Sequence, residues 1–468
     1  MKTRVWQTCL LLTLAIFSAK SAVLASNDAQ AGWAEVDITP PLGLSMGGRG
    51  PTDVEGTNVF DPLFAQVLYL KDRHGTGFVL ISMDLVSIPH ELSDRVRLDM
   101  VHELGVNWNL VVLNASHVHS GPQTIHTLLA GQGPLPKNEA DYFDMVEQTL
   151  VDAARRAAQN LEPVKVEVFE GKSQVAINRR GHDSDGKPAM KPNPRGPIAE
   201  KLWVLKLTPE QGEPPIIVFS YACHAVIVYE FAPASISADF PGVTRNVLHD
   251  KLGGARVQFV QGLAGDVRPR VLADLPNNIF RLPRPDDVQQ AGRDLAADVQ
   301  AALKSRPRKL KLNLAGAADR PFLARGTLPP KAFEALFQNP RNKPQEDAAK
   351  YWLDCYQTGI GFSKGDPWPT GLLRLADNQW VFFTAGEPCV EWGPKVAQWL
   401  KPRNVVLWGY CQEGMSYLPT DEMLPEGGYE VLDSNKWRAS SPAPLAAGVN
   451  ESIRRSLMRQ LAAIEQSQ

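Results

Sequence analysis

Two histidines that lie two residues apart, His117 and His119, are the first candidates for chemistry in this chain of 468 residues. On an extended segment both imidazoles point to the same side and can enter one cleft. Neutral imidazole is the commonest zinc ligand in proteins, and a catalytic zinc takes about three protein ligands plus a water molecule. The pair therefore predicts a metal site, and the alternative is that both histidines are structural.

His224 and Glu387 are two further candidate ligands. His224 offers another imidazole, and Glu387, which stands between Gly386 and Pro388, offers a carboxylate that can act as a ligand or as a base. Taken alone, a histidine at such a position packs in the core and a loop glutamate is solvated. The hypothesis of a metal site therefore depends on the whole set converging in the fold.

Short apolar runs precede these residues, and we interpret the runs as buried strands. Rigid strands aim the loops that follow them, so sites in α/β proteins are assembled at strand ends. The alternative is that the loops are ordinary polar turns. The runs, with the residues that follow them, are 78–83 with Asp84, 110–113 with His117 and His119, 216–222 with His224, 257–260 with Asp266 and Arg268, 380–384 with Glu387, and 405–408 with Tyr410 and Tyr417.

Longer helical patterns alternate with these runs, which predicts an α/β protein with mixed β-sheets flanked by helices. Helices are expected at 89–104, 140–160, 285–304, 390–400 and 444–465, and another near Asp239. Asp84 and Asp239 each have two interpretations. They either orient a ligating histidine or cap a turn or helix.

The composition is that of an ordinary globular protein. The chain is 44% hydrophobic and 21% charged, which excludes a disordered chain, a collagen or a coiled coil. Its 49 basic and 51 acidic residues give a net charge of −2, so no field for nucleic acid is expected. The predicted partner is a small-molecule, lipid or glycan substrate, and no oligomeric state is predicted.

The first 25 residues have the pattern of a secretory signal peptide. Lys2 and Arg4 precede an apolar run at 9–17, and small residues at the −3 and −1 positions, Val23 and Ala25, suit cleavage near Ala25. This run is too short to span a bilayer, and no later run of about 18 apolar residues is evident. We expect a protein exported to the periplasm or beyond, without an integral membrane anchor, in which residues 26–468 form one catalytic domain.

Four cysteines remain after such cleavage: Cys223, Cys355, Cys389 and Cys411. Export makes disulfides chemically possible, and four cysteines allow three full pairings. Cys389 and Cys411 follow two candidate neighbouring strands, so a disulfide between them is one hypothesis.

Several motifs, in this order, resemble the neutral/alkaline (non-lysosomal) ceramidase family: AEVDITPP at 34–41, MGG at 46–48, HVHSGP at 117–122, CHA at 223–225, GDV at 265–267 and SYLPT at 416–420. The resemblance covers about residues 32–430 and concerns the catalytic domain, with no immunoglobulin-like domain after it. It implies the fold of that domain, a Zn²⁺ cofactor and hydrolysis of the amide bond of an N-acylsphingosine, hence a place in lipid metabolism.

The resemblance also implies functional residues. The implied zinc ligands are His117, His224, Glu387 and Tyr417. The implied catalytic residues are His119, Arg179 and Tyr417, with His119 beside the metal, where it can contact the substrate or the developing oxyanion. Gly47 and Gly48 would approach the scissile bond through their backbone. Tyr410 or Tyr429 takes the place of Tyr417 if the motif is shifted.

Arg268 departs from the family, which has a serine after the GDV motif. Arginine stays protonated and cannot be a nucleophile, so the reaction is expected to proceed through zinc-activated water. Arg268 would then either bind an anionic group of the substrate or pair with Asp266.

Three hypotheses follow. The first is an exported zinc-dependent amidohydrolase of ceramidase type. The second is a hydrolase of a more polar amide, ester or lactone, such as a carbohydrate or cell-envelope compound, with Arg268 as the anion-binding residue. The third is a zinc-containing binding protein without catalytic activity.

Overall fold

The computed structural model describes residues 29–466, apart from the side chains of residues 330, 333 and 336. The predicted signal peptide lies outside the described residues. Within residues 29–466 no helix is both long and apolar enough to cross a membrane.

Strands and helices alternate along the chain. The strands are β1 (Gln30–Asp37), β2 (Asn58–Val59), β3 (Phe64–Lys71), β4 (Gly77–Met83), β5 (Val111–Ala115), β6 (Glu162–Lys172), β7 (Ala176–His182), β8 (Pro188–Asn193), β9 (Lys201–Pro209), β10 (Ile216–Tyr221), β11 (Ser235–Ile236), β12 (Arg256–Gln261), β13 (Val267–Pro269), β14 (Ala273–Asp274), β15 (Ile279–Phe280), β16 (Arg308–Lys309), β17 (Ala315–Asp319), β18 (Phe322–Ala324), β19 (Gly365–Pro367), β20 (Thr370–Ala376), β21 (Gln379–Thr384), β22 (Glu387–Pro388), β23 (Asn404–Trp408) and β24 (Tyr417–Leu418). The helices of the described part are α1 (His90–Leu104), α2 (Lys137–Gln159), α3 (Val228–Phe231), α4 (Asp239–Lys251), α5 (Pro285–Leu303), α6 (Pro330–Leu336), α7 (Lys343–Thr358), α8 (Trp392–Trp399) and α9 (Val449–Gln466).

The largest sheet has nine strands, in the order β12-β10-β9-β6-β1-β3-β4-β5, with β16 also paired to β6. Its pairs are antiparallel except at the two edges, where β4 and β5 are parallel and β10 and β12 are parallel. The two edges approach each other, because Gln261 at the end of β12 donates its backbone N–H to Oδ1 of Asn114 in β5 at 2.8 Å. The carboxyl ends of β5, β10 and β12 therefore meet at one rim.

Four layers bury the apolar residues of this mixed α/β fold. Helices α1, α2, α4 and α5 cover one face of the large sheet through a core that includes Val79, Val146 and Leu295. The other face packs on a second sheet, β17-β20-β21-β23, through residues such as Leu80 and Val381. Helices α8 and α9 cover the outer face of the second sheet.

The sequence predicted six of the 24 strands and six of the nine helices of the described part. All six apolar runs are strands, and all six predicted helices are present, including α4, which begins at Asp239, with ends that differ by a few residues. Helix α7 was not predicted. It begins at Lys343 inside the polar stretch 338–346, which has the composition of a loop, and its Asn342 caps it by accepting the backbone N–H of Gln345 at 2.9 Å.

The hypothesis of a disulfide between Cys389 and Cys411 is wrong, and all four cysteines of the described part are free and buried. The two residues belong to different cores. Cys389 packs with Met423 and Val431, whereas Cys411 lies in the core between the two large sheets.

Candidate metal and active site

His117 follows β5 in a left-handed backbone conformation, with φ of 63°. Its backbone N–H donates to the carbonyl of Leu85 at 3.0 Å, and its Nδ1 lies 2.6 Å from the carbonyl oxygen of Val86. A carbonyl can only accept, so Nδ1 carries the proton and Nε2 of the neutral ring presents a lone pair.

His224 follows β10 and is held in the same way. Its ring is fully buried, and Nδ1 lies 2.6 Å from the carbonyl oxygen of Ala264 in the loop after β12. Its Nε2 therefore also presents a lone pair in the neutral ring. Burial lowers the pKa of His224 to about 3, with Arg179 acting in the same direction, so the ring is neutral near pH 7.

The two lone pairs face each other. Nε2 of His117 lies 3.0 Å from Nε2 of His224 and 3.1 Å from Nε2 of His119. The segments are locked together, because the backbone N–H of His119 donates to the carbonyl of Ala225 at 3.1 Å. The three imidazoles thus form one cluster whose ligand atoms all lie within 4.8 Å of one another.

Glu387 and Tyr417 complete the cluster from two short strands beside the second sheet. They are paired residues of the short parallel strands β22 and β24. Oε2 of Glu387 lies 3.1 Å from Nε2 of His117 and 3.3 Å from Nε2 of His224, and the Tyr417 hydroxyl lies 3.4 Å from Nε2 of His224. Although burial acts in the opposite direction, His117 and His224 hold the pKa of Glu387 well below its usual value.

This arrangement fits a bound cation. Two imidazole lone pairs and a carboxylate converge at hydrogen-bond distance, and none of these three groups can donate to another, because both Nδ1–H groups are already used. The lone pairs of these groups repel one another when nothing lies between them, whereas a divalent ion would accept a lone pair from each group. Nitrogen and oxygen ligands suit zinc, and His117, His224, Glu387 and Tyr417 are the residues that could hold it.

His119 differs from the other two histidines. Its Nδ1 is buried without a hydrogen-bond partner, so no backbone carbonyl fixes its tautomer. Its ring lies 5.1 Å from that of Tyr229, and burial lowers its pKa well below the usual value, with His117 and His224 adding to the effect. It can therefore donate or accept a proton without disturbing the other ligands.

Arg179 lies on β7 behind the cluster. Its Nε donates to Oε1 of Glu430 at 2.9 Å, and its guanidinium lies 5.4 Å from the Tyr417 ring centre and 5.5 Å from that of Tyr429. Burial alone would lower the pKa of Arg179, but Tyr417 and Glu430 raise it well above its usual value. The residue is a buried cation that packs on Tyr417.

Gly48 and Gly47 lie near the cluster in different ways. A Cβ on Gly48, which has φ of +82°, would come within 2.6 Å of Cγ and Nδ1 of His119, so only glycine fits there. Gly47 instead donates its backbone N–H to the carbonyl of Gly121 at 2.8 Å, which holds the turn in place.

Arg268 does not pair with Asp266, and that alternative is wrong. Its guanidinium forms an ion pair with Glu230 and lies 4.8 Å from the ring centre of Phe280. Asp266 instead accepts the backbone N–H of Val390 at 2.8 Å and Nδ2 of Asn178 at 3.1 Å.

The idea that Asp84 or Asp239 orients a ligating histidine is also wrong, because backbone carbonyls do so. The carboxylate of Asp84 accepts hydrogen bonds from both terminal nitrogens of Arg245. Asp239 accepts the backbone N–H groups of Ile227 and Val228 at 2.8 Å each.

Sequence reasoning gave Tyr410 only as an alternative to Tyr417, whereas the structure places both at the site. The Tyr410 ring lies 4.2 Å from the ring of His117, and its buried hydroxyl has no hydrogen-bond partner. Its backbone N–H donates to the carbonyl of Gly386 and its carbonyl accepts from Ala115, both at 3.0 Å. Tyr410 thus connects the segments that carry His117 and Glu387, and its position after a predicted strand was the available signal.

A cavity of about 850 Å³ opens onto the cluster. His117, His119, Glu387 and Tyr417 form its inner end. The rest of its wall is mixed: Arg49, Arg341, Lys436 and Trp437 line it together with apolar side chains such as Ile125, Leu128, Leu129 and Met415. The inner end can therefore hold a bound group against the cluster while the wall contacts the rest of the molecule.

Comparisons with known proteins identify the fold. No protein-family model and no curated protein matches the chain. Among solved structures, neutral ceramidase from Pseudomonas aeruginosa superposes with a TM-score of 0.68 and 18% identity over 92% of this chain and 73% of that one. A ceramidase complexed with C2 superposes with a TM-score of 0.71 and 17% identity over 94% and 76% of the two chains. The chain has the neutral ceramidase fold.

Proposed function

We propose that this protein is a zinc-dependent hydrolase that cleaves a linear amide bond, as a ceramidase does. The observation that carries the proposal is the convergence of Nε2 of His117, Nε2 of His224 and Oε2 of Glu387, none of which can donate to another. The ceramidase fold of the chain supports the reaction class. Residues 26–468 are proposed to act as one exported catalytic unit.

His117, His224, Glu387 and Tyr417 would hold the metal. When bound, zinc polarises a carbonyl group and lowers the pKa of water to near neutrality. His119 lies beside these ligands with a free Nδ1, so it can donate to the oxyanion that develops on the substrate or to the leaving amine. Arg179 packs against Tyr417 and orients its hydroxyl toward His224.

A second candidate is a hydrolase of a more polar amide, ester or lactone. The wall of the cavity favours it, because Arg49, Arg341 and Lys436 line the space beside the reacting centre. A groove for two lipid chains would be lined mainly by apolar side chains, whereas here Ile125, Leu128 and Leu129 share the wall with these cations.

Metal analysis with a ligand variant tests the proposal. Protein purified without chelator and supplied with zinc is expected to hold one zinc ion per chain and to hydrolyse a member of a panel of N-acylsphingosines, N-acyl amines, esters and lactones. His117→Ala is expected to lose both properties, whereas His182→Ala, an exposed histidine outside the cavity, retains them. Hydrolysis by His117→Ala at the unaltered rate, or a protein that takes up no zinc, would refute the assignment.

A further inference from the structure

The wall of the cavity beyond the histidines carries two cations that form no ion pair within residues 29–466, although Asp433 lies near enough to Lys436 to oppose the lowering of its pKa by burial. Arg341 and Lys436 both line this wall. Arg341 is exposed, and its backbone N–H donates to Oε1 of Gln345 at 3.1 Å, which fixes it beside the start of α7. Lys436 is half-buried, with Nζ 4.7 Å from the ring centre of Trp437. Neither side chain forms an ion pair with a carboxylate of residues 29–466.

The carboxylates of the same cavity do not remove this charge. Glu413 is already bound to Arg320 at 3.2 Å and to His90. Glu387 belongs to the metal cluster. Asp53 and Asp433 are exposed to solvent, and neither makes an ion pair with Arg341 or Lys436.

A third cation lies nearer the histidines. Arg49 follows Gly48 and donates to the carbonyls of Tyr229 at 2.8 Å and Pro233 at 3.1 Å, with its guanidinium 4.9 Å from the Tyr229 ring centre. Its hydrogen-bond partners are carbonyls, and Glu230 acts on its charge from nearby. The cavity therefore has one cation near the histidines and two on its outer wall.

We propose that the outer part of the cavity binds an anionic group of the substrate through Arg341 and Lys436. The inference rests on the proposed hydrolase function and names its substrate class, an amide or ester with a carboxylate, sulfonate or phosphate beyond the scissile bond. A desolvated ammonium gains charge-assisted hydrogen bonds from such a group, and the arginine adds a planar fork of donors. Trp437 provides the apolar surface beside them.

This assignment moves the anion-binding residue away from Arg268. Arg268 is neutralised by Glu230 and does not line the cavity, so it has no free charge to offer there. Arg341 and Lys436 line the cavity and form no ion pair within the described residues.

Matched substrates test the proposal. N-decanoyl derivatives of glycine, 4-aminobutyrate and 6-aminohexanoate carry a carboxylate at increasing distance from the amide, and their primary amides are neutral controls. N-decanoyltaurine and N-decanoyl-phosphoethanolamine are the sulfonate and phosphate arms. For at least one chain length, kcat/KM is expected to favour the anion over the neutral control by about tenfold.

Variants assign this preference to the two residues. Arg341→Ala/Lys436→Ala is expected to reduce the anion-to-neutral ratio of kcat/KM to about one, whereas Arg341→Lys/Lys436→Arg retains most of it. Lys350→Ala, an exposed residue of α7 outside the cavity, is the control and should keep the wild-type ratio. A ratio near one in the wild type, or an unaltered ratio in the double alanine variant, would overturn the proposal.

Binding measurements separate this proposal from the hydrolase assignment. Titration calorimetry of the same compounds with His117→Ala gives the anion-to-neutral affinity ratio without turnover. A tenfold ratio with no hydrolysis of any compound by the wild type keeps the anion site and rejects the hydrolase. Equal affinities together with hydrolysis keep the hydrolase and reject the anion site.

Discussion

At the scale of single residues, backbone carbonyls set the chemistry of the metal cluster. The carbonyls of Val86 and Ala264 fix the Nδ1–H tautomer of His117 and His224, so both Nε2 lone pairs point into the same space. His119 has no such partner. Under the proposed function the same residue type would serve two purposes, ligation and proton transfer, and the difference would lie in what contacts Nδ1.

Gly48 determines the position of His119, and Gly48→Ala is expected to damage activity more than folding. The new Cβ would meet the His119 ring at 2.6 Å and force it away from the cluster. We expect kcat/KM to fall at least about tenfold, and a destabilisation of about 1–3 kcal/mol from the positive φ and the crowding.

Gly75→Ala is a matched control for this variant. Gly75 has φ of +81°, almost that of Gly48, but nothing lies within 4 Å of its Cβ position. It should show the backbone cost in urea unfolding and wild-type kcat/KM. If the two variants have the same activity, Gly48 does not position His119.

The residue types of the site could be predicted because side chains carry the signal. His117, His119, His224, Glu387 and Tyr417 stand in recognisable motifs, and the structure brings all five together. The carbonyls that orient them have no residue type, so no motif reports them. Arg268 was predicted from a single departure in one motif, and its partner Glu230 is 38 residues away.

At the scale of elements, the histidines of the cluster follow the carboxyl ends of strands, and a buried ion pair holds those ends in place. Asp84 at the end of β4 accepts NH1 of Arg245 at 2.9 Å, the Oγ of Ser116 at 3.1 Å and the backbone N–H of Phe64 at 3.0 Å. It thus connects β3, helix α4 and the segment that leads to His117. The positions of these strand ends therefore depend on the ion pair and hydrogen bonds of this carboxylate.

Asp84→Leu is expected to destabilise the fold by about 3–5 kcal/mol, because it leaves the guanidinium of Arg245 buried without a partner. The double variant Asp84→Leu/Arg245→Met should recover part of this loss, since it removes both charges. The free energy of unfolding in urea measures both changes.

Glu103→Gln serves as the exposed comparison. Glu103 pairs with Arg155 at 2.8 Å at the surface, where solvent screens the interaction. Its removal should change stability far less than Asp84→Leu does. Equal effects for the two single variants would mean that the Asp84 pair is not an anchor of the rim.

The strands were easier to predict than their assembly. Each apolar run is short and bounded by polar residues, so its identity is local information. Pairing is not local: β1 pairs with both β3 and β6, which lie on either side of two helices in the chain. The curvature of the large sheet, which brings Asn114 in β5 close to Gln261 in β12, depends on a side-chain hydrogen bond between these distant strands. No single apolar run contains this information.

At the scale of the whole molecule, buried carboxylates make stability depend on pH. Burial raises the pKa of Asp266 from 3.8 to about 7. The folded state therefore holds this proton more tightly than the unfolded chain does, so the contribution of Asp266 to the free energy of unfolding should fall as the pH rises from about 4 to about 7. Burial also raises the pKa of Asp239 to about 6, which acts in the same direction. The contribution of the buried His224, with a pKa of about 3, rises instead.

Asp266→Asn removes one of these titrations. Urea unfolding is measured between about pH 4.5 and 7.5, in chelator so that metal binding adds no pH dependence. The variant-minus-wild-type difference in the free energy of unfolding should rise with pH, because the variant lacks the contribution that Asp266 loses. Identical slopes would show that Asp266 has an ordinary pKa in the folded protein.

Metal binding should stabilise the whole molecule, because the proposed ligands come from distant parts of the chain that the ion would link. His117 and His224 lie at the ends of β5 and β10 in the large sheet, whereas Glu387 and Tyr417 belong to short strands beside the second sheet. Without the ion their lone pairs repel one another in a buried space, and with the ion each lone pair would be used.

Binding to the folded state alone stabilises it by about 4 kcal/mol when free zinc is about 1,000 times the dissociation constant. Thermal unfolding after dialysis against chelator should therefore occur at a lower temperature, and added zinc should restore the midpoint in the wild type but not in His117→Ala. A midpoint that is the same with chelator and with zinc would mean that the cluster binds no metal in the folded protein.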